Sequence, residues 1–265
     1  MSLINKKKTD TDRSYTAQRR LILNSKSNFY IQEAYNTLRT NIRFVLPGDG
    51  CKSLCLTSGL ASEGKSTTIL NLAISFAETG SKVLLIDADM RRPSLGRLLI
   101  EKASPGLSDV LAGMTDIEDC VRKNVRPNLD MIFSGEIPPN PLELLGCPRM
   151  KTLIDTMSAR YDYILVDTPP IGVVSDACEV ANVTHGVLFL VQQNSTEKDM
   201  VARGVKQLEL SGSRLLGFVM NGVVQETKSR YRYRYRYRYR YRYGNKYKYS
   251  NKYAYSYSRN NTNKK

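Results

Sequence analysis

Eight residues, Gly59-Leu60-Ala61-Ser62-Glu63-Gly64-Lys65-Ser66, carry the first chemistry that the sequence offers. They fit the phosphate-loop pattern G-x-x-x-x-G-K-[ST] at every fixed position. The glycines let backbone N–H groups turn toward phosphate oxygens, and a helix start adds partial positive charge. Lys65 is a mobile cation for β- and γ-phosphates, and Ser66 offers a hydroxyl to Mg²⁺. Acids follow at two further places. Asp87 and Asp89 stand two apart after Val83-Leu84-Leu85-Ile86, and Asp167 follows Ile164-Leu165-Val166. The carboxyl ends of parallel strands are where open α/β sheets bind ligands, and an acid there can hold a Mg²⁺-bound water. Together these groups make a Mg-nucleotide site with more carboxylates than binding alone needs. Phosphoryl transfer also asks for a group that orients or deprotonates the acceptor. With water as acceptor the site is an ATPase switch. With a tyrosine hydroxyl it is a kinase. The site alone leaves both open.

The elements that must position these groups are legible in the pattern. Lys52 to Ser58 reads as a short buried strand, and Thr67 to Gly80, with Leu70, Ala73, Ile74 and Ala77, as a helix. Phe29 to Leu46 has helical spacing at Ile31, Ala34, Tyr35, Leu38, Ile42 and Val45, and Pro47-Gly48-Asp49-Gly50 ends it. Gly106 to Gly113 predicts a short helix closed by glycine. Asn140 predicts an N-cap ahead of Pro141. Leu129–Phe133, Tyr161–Asp167, Gly186–Val191 and Leu215–Asn221 read as strands, and Thr196–Leu210 as a helix. Strands alternating with helices predict an α/β fold, a doubly wound and mostly parallel sheet. Residues 1–28 are polar, basic and aperiodic, and predict a flexible arm before a domain over 29–227.

The net charge of +15 belongs to one end of the chain. From Lys228 onward there are fourteen Lys or Arg and no acid, so residues 1–227 carry a net charge of only +1. The body is an ordinary globule; the basicity is a tail over 228–265. Tyr231, Tyr233, Tyr235, Tyr237, Tyr239, Tyr241 and Tyr243 alternate with arginine, and Tyr247, Tyr249, Tyr253, Tyr255 and Tyr257 follow. Twelve of the seventeen tyrosines lie there, which favours tyrosine as the acceptor. An all-arginine second face cannot pack on a core, so the tail is expected to be disordered. The five cysteines are scattered and read as reduced thiols in a cytosolic protein. His185, the sole histidine, reads as structural. No apolar run reaches about eighteen residues, and no apolar stretch follows the N-terminal lysines, so neither a membrane span nor a secretory signal is expected.

These motifs together resemble the bacterial tyrosine kinases of capsular and exopolysaccharide synthesis, relatives of the deviant-Walker ATPases. The resemblance covers about residues 30–225 and the tail. The family's Walker A is similar to Gly59–Ser66 extended by Thr67, its Walker A′ to Leu84–Arg91 with the D-x-D-x-R spacing, and its Walker B to Ile164–Asp167. The resemblance implies ATP and Mg²⁺ as cofactors, with Gly59, Glu63, Gly64, Lys65, Ser66 and Thr67 on the nucleotide. It implies Ser66, Asp87, Asp89 and Asp167 on the metal, directly or through water, and a base for the tyrosine proton in the A′ pair, here Asp87. Asn221 resembles the adenine-reading residue, although a turn asparagine fits the sequence as well. Leu60 stands where partition-type ATPases have a lysine. The family's E-x-x-R-x-x-R ring-forming motif is similar to Glu33–Arg39, with Asn36 in place of the first arginine. The resemblance implies a self-assembled ring whose subunits phosphorylate each other's tails. It also implies a transmembrane modulator that would hold the protein at the inner face of the membrane, with no specific nucleic acid as partner. The rival reading is a ParA/MinD-like ATP switch whose basic aromatic tail binds nucleic acid or anionic membrane.

Overall fold

The computed structural model describes residues 10–223. The tail over 228–265, with Tyr231 to Tyr257, lies outside the described residues. In chain order the elements are α1 (Asp10–Arg19), α2 (Phe29–Val45), β1 (Lys52–Ser58), α3 (Lys65–Ala77), β2 (Val83–Asp87) and α4 (Leu95–Leu99). Then come α5 (Leu107–Ala112), α6 (Ile117–Cys120), β3 (Val121–Arg126), β4 (Leu129–Ile132), α7 (Pro141–Leu145) and α8 (Pro148–Ser158). The chain continues through β5 (Tyr163–Asp167), α9 (Asp176–Asn182), β6 (Val187–Gln192), α10 (Lys198–Leu210) and β7 (Leu215–Asn221).

The seven strands order as β3-β4-β2-β5-β1-β6-β7. All neighbours are parallel except β3, which runs antiparallel to β4 at one edge. The central strands are buried on both faces, so they read as unbroken apolar runs. Alternate residues serve different cores. Leu84, Ile86, Ile164 and Val166 pack with α5, α8 and α9 residues such as Val110, Leu153 and Val180. Val83, Leu85, Leu54 and Leu56 pack with α3 residues such as Ile69, Leu72 and Phe76. Helices therefore cover both faces, and the sheet is doubly wound as expected. Asn140 holds the N-cap position of α7, but its side chain makes no capping hydrogen bond. His185 is structural: its Nδ1 lies 3.0 Å from the Ser53 N–H and 2.7 Å from Ser53 Oγ. The five cysteines are free thiols.

Of the expected arm over residues 1–28, residues 10–28 are described, and these pack on the body instead of extending from it. Residues 10–19 form a helix, and Ile22 and Leu23 enter the core. Arg19 donates to the Leu98 and Arg97 carbonyls at 3.2 and 2.6 Å, and the Arg97 guanidinium lies 5.3 Å from the Tyr15 ring centre. The decisive partner is Asn71 on α3, which is buried. Its Oδ1 accepts the Leu23 N–H at 2.7 Å, while its Nδ2 donates to the Leu21 carbonyl at 2.9 Å and to Tyr35 Oη at 3.2 Å. These anchors are backbone groups and two apolar side chains, so no periodic pattern announced them. Asn71→Ala is expected to lower unfolding stability by about 2–4 kcal/mol, because several buried polar groups lose their partner at once. Urea denaturation of the full chain measures it; a loss below about 1 kcal/mol would show the segment to be loosely held.

Candidate active site

The site forms at the carboxyl ends of β1, β2 and β5, which lie side by side. The loop after β1 bends because Ser62 and Gly64 take left-handed conformations, φ +64° and +94°. A side chain on Gly64 would also meet Asn221 Nδ2 at 2.4 Å, so the loop needs glycine there twice over. Helix α3 makes its first internal bond from the Thr68 N–H to the Gly64 carbonyl, 2.9 Å. The N–H groups of Gly64 to Thr67 are thereby the unpaired helix-start donors that suit phosphate oxygens. Lys65 stands at this start and is only 6% exposed.

The loop after β5 is tied to the phosphate loop. Thr57 Oγ1 donates to the Pro169 carbonyl at 2.9 Å, and Ile171 N–H donates to the Ser58 carbonyl at 2.9 Å. A side chain on Gly172 would lie 2.1 Å from the Gly59 carbonyl oxygen, so the two loops touch backbone to backbone. The A′ turn is tied down from the other side. Arg91 grips the fully buried Asp176 at the start of α9 with two hydrogen bonds, 2.8 and 3.0 Å. Beside this pair lies a cavity of about 330 Å³, bordered by Arg91, Ile171, Val173, Asp176 and Gln207.

The three acids at these strand ends have different environments. Asp87 and Asp167 are register neighbours on β2 and β5, and both are fully buried. Asp87 accepts the Asp89 N–H at 3.2 Å and the Leu95 N–H at 3.3 Å. Burial, then Asp167, then Asp89 push its carboxyl well above the usual range. Asp89 accepts the Arg92 N–H at 3.0 Å; burial raises it, and Lys65 pulls it back. Burial lifts Asp167 to about 7 even though Lys65 and Ser66 pull it down. Ser66 stays short of a well-formed bond to it, and neither Asp167 oxygen has a hydrogen-bond partner.

Among the described residues no three His, Cys, Asp or Glu side chains converge as a ready metal cage. Of the expected metal set Ser66, Asp87, Asp89 and Asp167, backbone donors occupy both oxygens of Asp87 and one oxygen of Asp89. Mg²⁺ characteristically uses one or two carboxylates plus substrate phosphates. Asp167, with two unpartnered buried oxygens beside Ser66, fits that need.

Two expected residues behave differently from a simple ligand. Glu63 is buried and spends its carboxylate on protein donors, Leu60 N–H and Thr196 Oγ1. Asn221 ends β7 and donates to the Glu63 carbonyl at 2.8 Å. On α2, Glu33 is exposed and accepts from Asn36 at 2.9 Å. Arg39, also expected at an interface between subunits, binds Ser75 of α3 through Nη1, at 2.5 Å to the carbonyl and 2.7 Å to Oγ, and stays half-exposed. Thr196 and Asp176 carried no motif signal, whereas Arg91 stood within the D-x-D-x-R spacing.

A family profile described as an AAA domain matches residues 61–208. The tyrosine-protein kinase YwqD of Bacillus subtilis is 40% identical over 220 residues, covering 83% of this chain and 93% of that protein. The chain belongs to the bacterial tyrosine-protein kinase family. Among solved structures, this kinase-family chain matches the kinase domain of Escherichia coli tyrosine kinase ETK with a TM-score of 0.72 at 32% identity, over 77% of this chain and 80% of that one. It matches the chimerical protein CapA2B2 with a TM-score of 0.71 at 33% identity, over 77% and 89%. The cell division ATPase MinD of Pyrococcus furiosus is more distant, with a TM-score of 0.55 at 26% identity over 64% of this chain and 71% of that one. The P-loop fold of this kinase family implies nucleotide binding. Among the described residues no helix is long and apolar enough to cross a membrane.

Proposed function

We propose that this protein is an ATP-dependent tyrosine autokinase that phosphorylates its own tail, Tyr231 to Tyr257, and thereby regulates capsular or exopolysaccharide synthesis. The observation that carries this reading is the union of two features. One is a phosphate loop facing three buried acids, and the other is twelve tyrosines gathered at one end of the same chain. The backbone N–H groups of Gly64 to Thr67 and the Lys65 ammonium hold the triphosphate. Ser66 and Asp167 would hold Mg²⁺, which supplies charge neutralisation on the phosphates when bound. The acceptor ring approaches past Arg91 and Val173, along the cavity beside the A′ turn. Its oxygen bonds to the γ-phosphorus as the bond to the β-phosphate bridging oxygen breaks, and ADP leaves. Asp87 takes the phenolic proton; burial and two neighbouring carboxylates give it the raised proton affinity that a general base needs.

The phosphorylation is read as occurring between subunits of a ring, with Glu33 on an exposed face of α2 as the contact. A separate transmembrane modulator would recruit the protein to the inner face of the membrane. Each phosphate adds about −1.5 to −2 charge, so twelve would turn a tail of +14 into roughly −4 to −10. That inversion would drive the tail out of neighbouring sites.

Intact-protein mass spectrometry after incubation with Mg-ATP tests the reading, with and without the cytoplasmic segment of a candidate modulator. Whole-phosphate increments mapping to Tyr231–Tyr257 are expected. ATP hydrolysis with no phosphate on the tail under any condition would overturn the kinase reading in favour of an ATP switch.

A further inference from the structure

Helix α4 is held at both ends by side chains from other parts of the chain. It has five residues, too few to keep helical form by its own bonds. At its start Ser94 occupies the N-cap position but makes no capping bond. The acceptor there is Asp87, whose Oδ2 takes the Leu95 N–H at 3.3 Å. At its end two carbonyls are taken by α1. Arg19 donates through Nε to the Leu98 carbonyl at 3.2 Å and through Nη2 to the Arg97 carbonyl at 2.6 Å. Ile100 follows with φ +62°, a left-handed conformation that a β-branched side chain opposes. Such a conformation persists only where its surroundings over-determine it. The stretch that carries Arg19 is fastened in turn to α3, where Asn71 accepts the Leu23 N–H and donates to the Leu21 carbonyl. Residues 19–23 thus join the helix that begins at Lys65 to the helix that follows the A′ turn.

The geometry points to Arg19 as a positioning residue for phosphoryl transfer, acting through α4 on the Asp87 carboxylate. Leu95 and Leu98 lie in the same buried core as Ile22 and Leu23, which sets how deep α4 sits. Apolar packing is non-directional, so the turn of the helix about its axis is left to the hydrogen bonds at its ends. Arg19 supplies two of them, and both are charge-assisted. They hold the last carbonyls in line against the unwinding that Ile100 favours, and so keep the Leu95 N–H aimed at Asp87. Without them the end of α4 relaxes and that N–H is drawn away. Asp87 then keeps only the Asp89 N–H, at 3.2 Å, and swings about that bond. A reacting group misplaced by about 1 Å costs up to about 10²-fold in rate. Nucleotide affinity is spared, because Asn71 keeps its grip on residues 21 and 23 and the phosphate loop lies outside this path.

Asp87 is the base of the proposed kinase, so this role of Arg19 rests on that reading. Tail phosphorylation of the full chain, followed by intact-protein mass spectrometry, gives kcat and KM for ATP. Hydrogen exchange gives the protection of Leu95–Leu99. Arg19→Ala is expected to lower kcat about tenfold while KM for ATP stays within about twofold. Exchange at Leu95–Leu99 should quicken at least about tenfold, with Lys65–Ala77 unchanged. Arg19→Lys keeps the charge and reaches one carbonyl, so it should hold kcat within about threefold of wild type. Ile100→Gly removes the left-handed penalty at a side chain that is 75% exposed. Added to Arg19→Ala, it should raise kcat at least about threefold above the single variant. A merely structural role would lower the melting temperature without lowering kcat in the folded protein. A kcat within about twofold of wild type in folded Arg19→Ala, a KM that rises as far as kcat falls, or unchanged exchange at Leu95–Leu99 would overturn the proposal. If Arg19→Ala melts at assay temperature, Arg19→Met, which keeps the apolar stem, decides in its place. Wild-type chain that hydrolyses ATP and gains no tail phosphate would sink the kinase reading instead, and kcat for hydrolysis in the same variants then decides the role of Arg19.

Discussion

Lys65→Met is expected to lower the rate at which the full chain gains tail phosphate by about 10³-fold or more. Lys65 has two tasks, and methionine performs neither. It meets the charge on the transferring phosphates from a position only 6% exposed, where water screens poorly. It also lowers the proton affinity of Asp89 and Asp167, which burial drives the other way. Without the ammonium, Asp167 rises further and becomes a poorer site for a divalent cation. Methionine keeps the length and apolar stem of lysine, so the fold should survive. Initial rates by intact-protein mass spectrometry, with a thermal melt as control, measure the effect. A loss smaller than about tenfold in a folded variant would place the phosphate clamp elsewhere.

Asp167→Asn should inactivate the enzyme and stabilise the nucleotide-free protein. Its carboxyl is raised from about 3.8 to about 7 by burial, and neither oxygen has a partner. A carboxyl whose folded value is raised binds its proton more tightly when folded. The stability it lends is therefore complete below the unfolded value and lost as pH rises through the folded one. The window runs from about pH 4 to pH 7. Asparagine is neutral throughout and also relieves the repulsion on Asp87. At pH 8 the variant should exceed wild type by about 2–4 kcal/mol, or about 4–10 °C in Tm. The gap should close toward pH 4. Mg-ATP should raise the wild-type melting temperature and leave the variant almost unmoved. Melts across this pH range check it. A variant that melts below wild type at pH 8 would show that Asp167 is held by compensation not visible in its hydrogen bonding.

The residues that were legible share a physical cause. Strands buried on both faces must be apolar along their length, so Val83–Ile86 and Ile164–Val166 stand out, and the acids that end them stand out more. The phosphate loop is legible because glycine conformations and a lysine are needed at fixed spacing. What stayed hidden depends on long-range pairing. Arg91 meets Asp176 across 85 residues, and Glu63 meets Thr196 across 133. No local pattern encodes such partners. The N-terminal segment was missed for the opposite reason: its hold on α3 runs through the Leu21 carbonyl and Leu23 N–H, groups that every residue carries. The two acceptors that Ser75 of α3 offers Arg39 were likewise hidden, since they come from a helix 36 residues further on.

The position of β5 between β1 and β2 has a consequence for how the chain is made. During synthesis the phosphate loop and the A′ turn emerge early, on two strands that do not pair with each other. Each waits with an open edge for residues 163–167, a contact of long sequence separation and so a slow one to form. Until then two apolar strands are bare on the nascent chain, the state most open to aggregation. When β5 inserts, one event closes the centre of the sheet and delivers Asp167 beside Asp87 and Lys65. A chain made only as far as residue 162 therefore has its phosphate loop and A′ acids but lacks the Asp167 carboxylate between them.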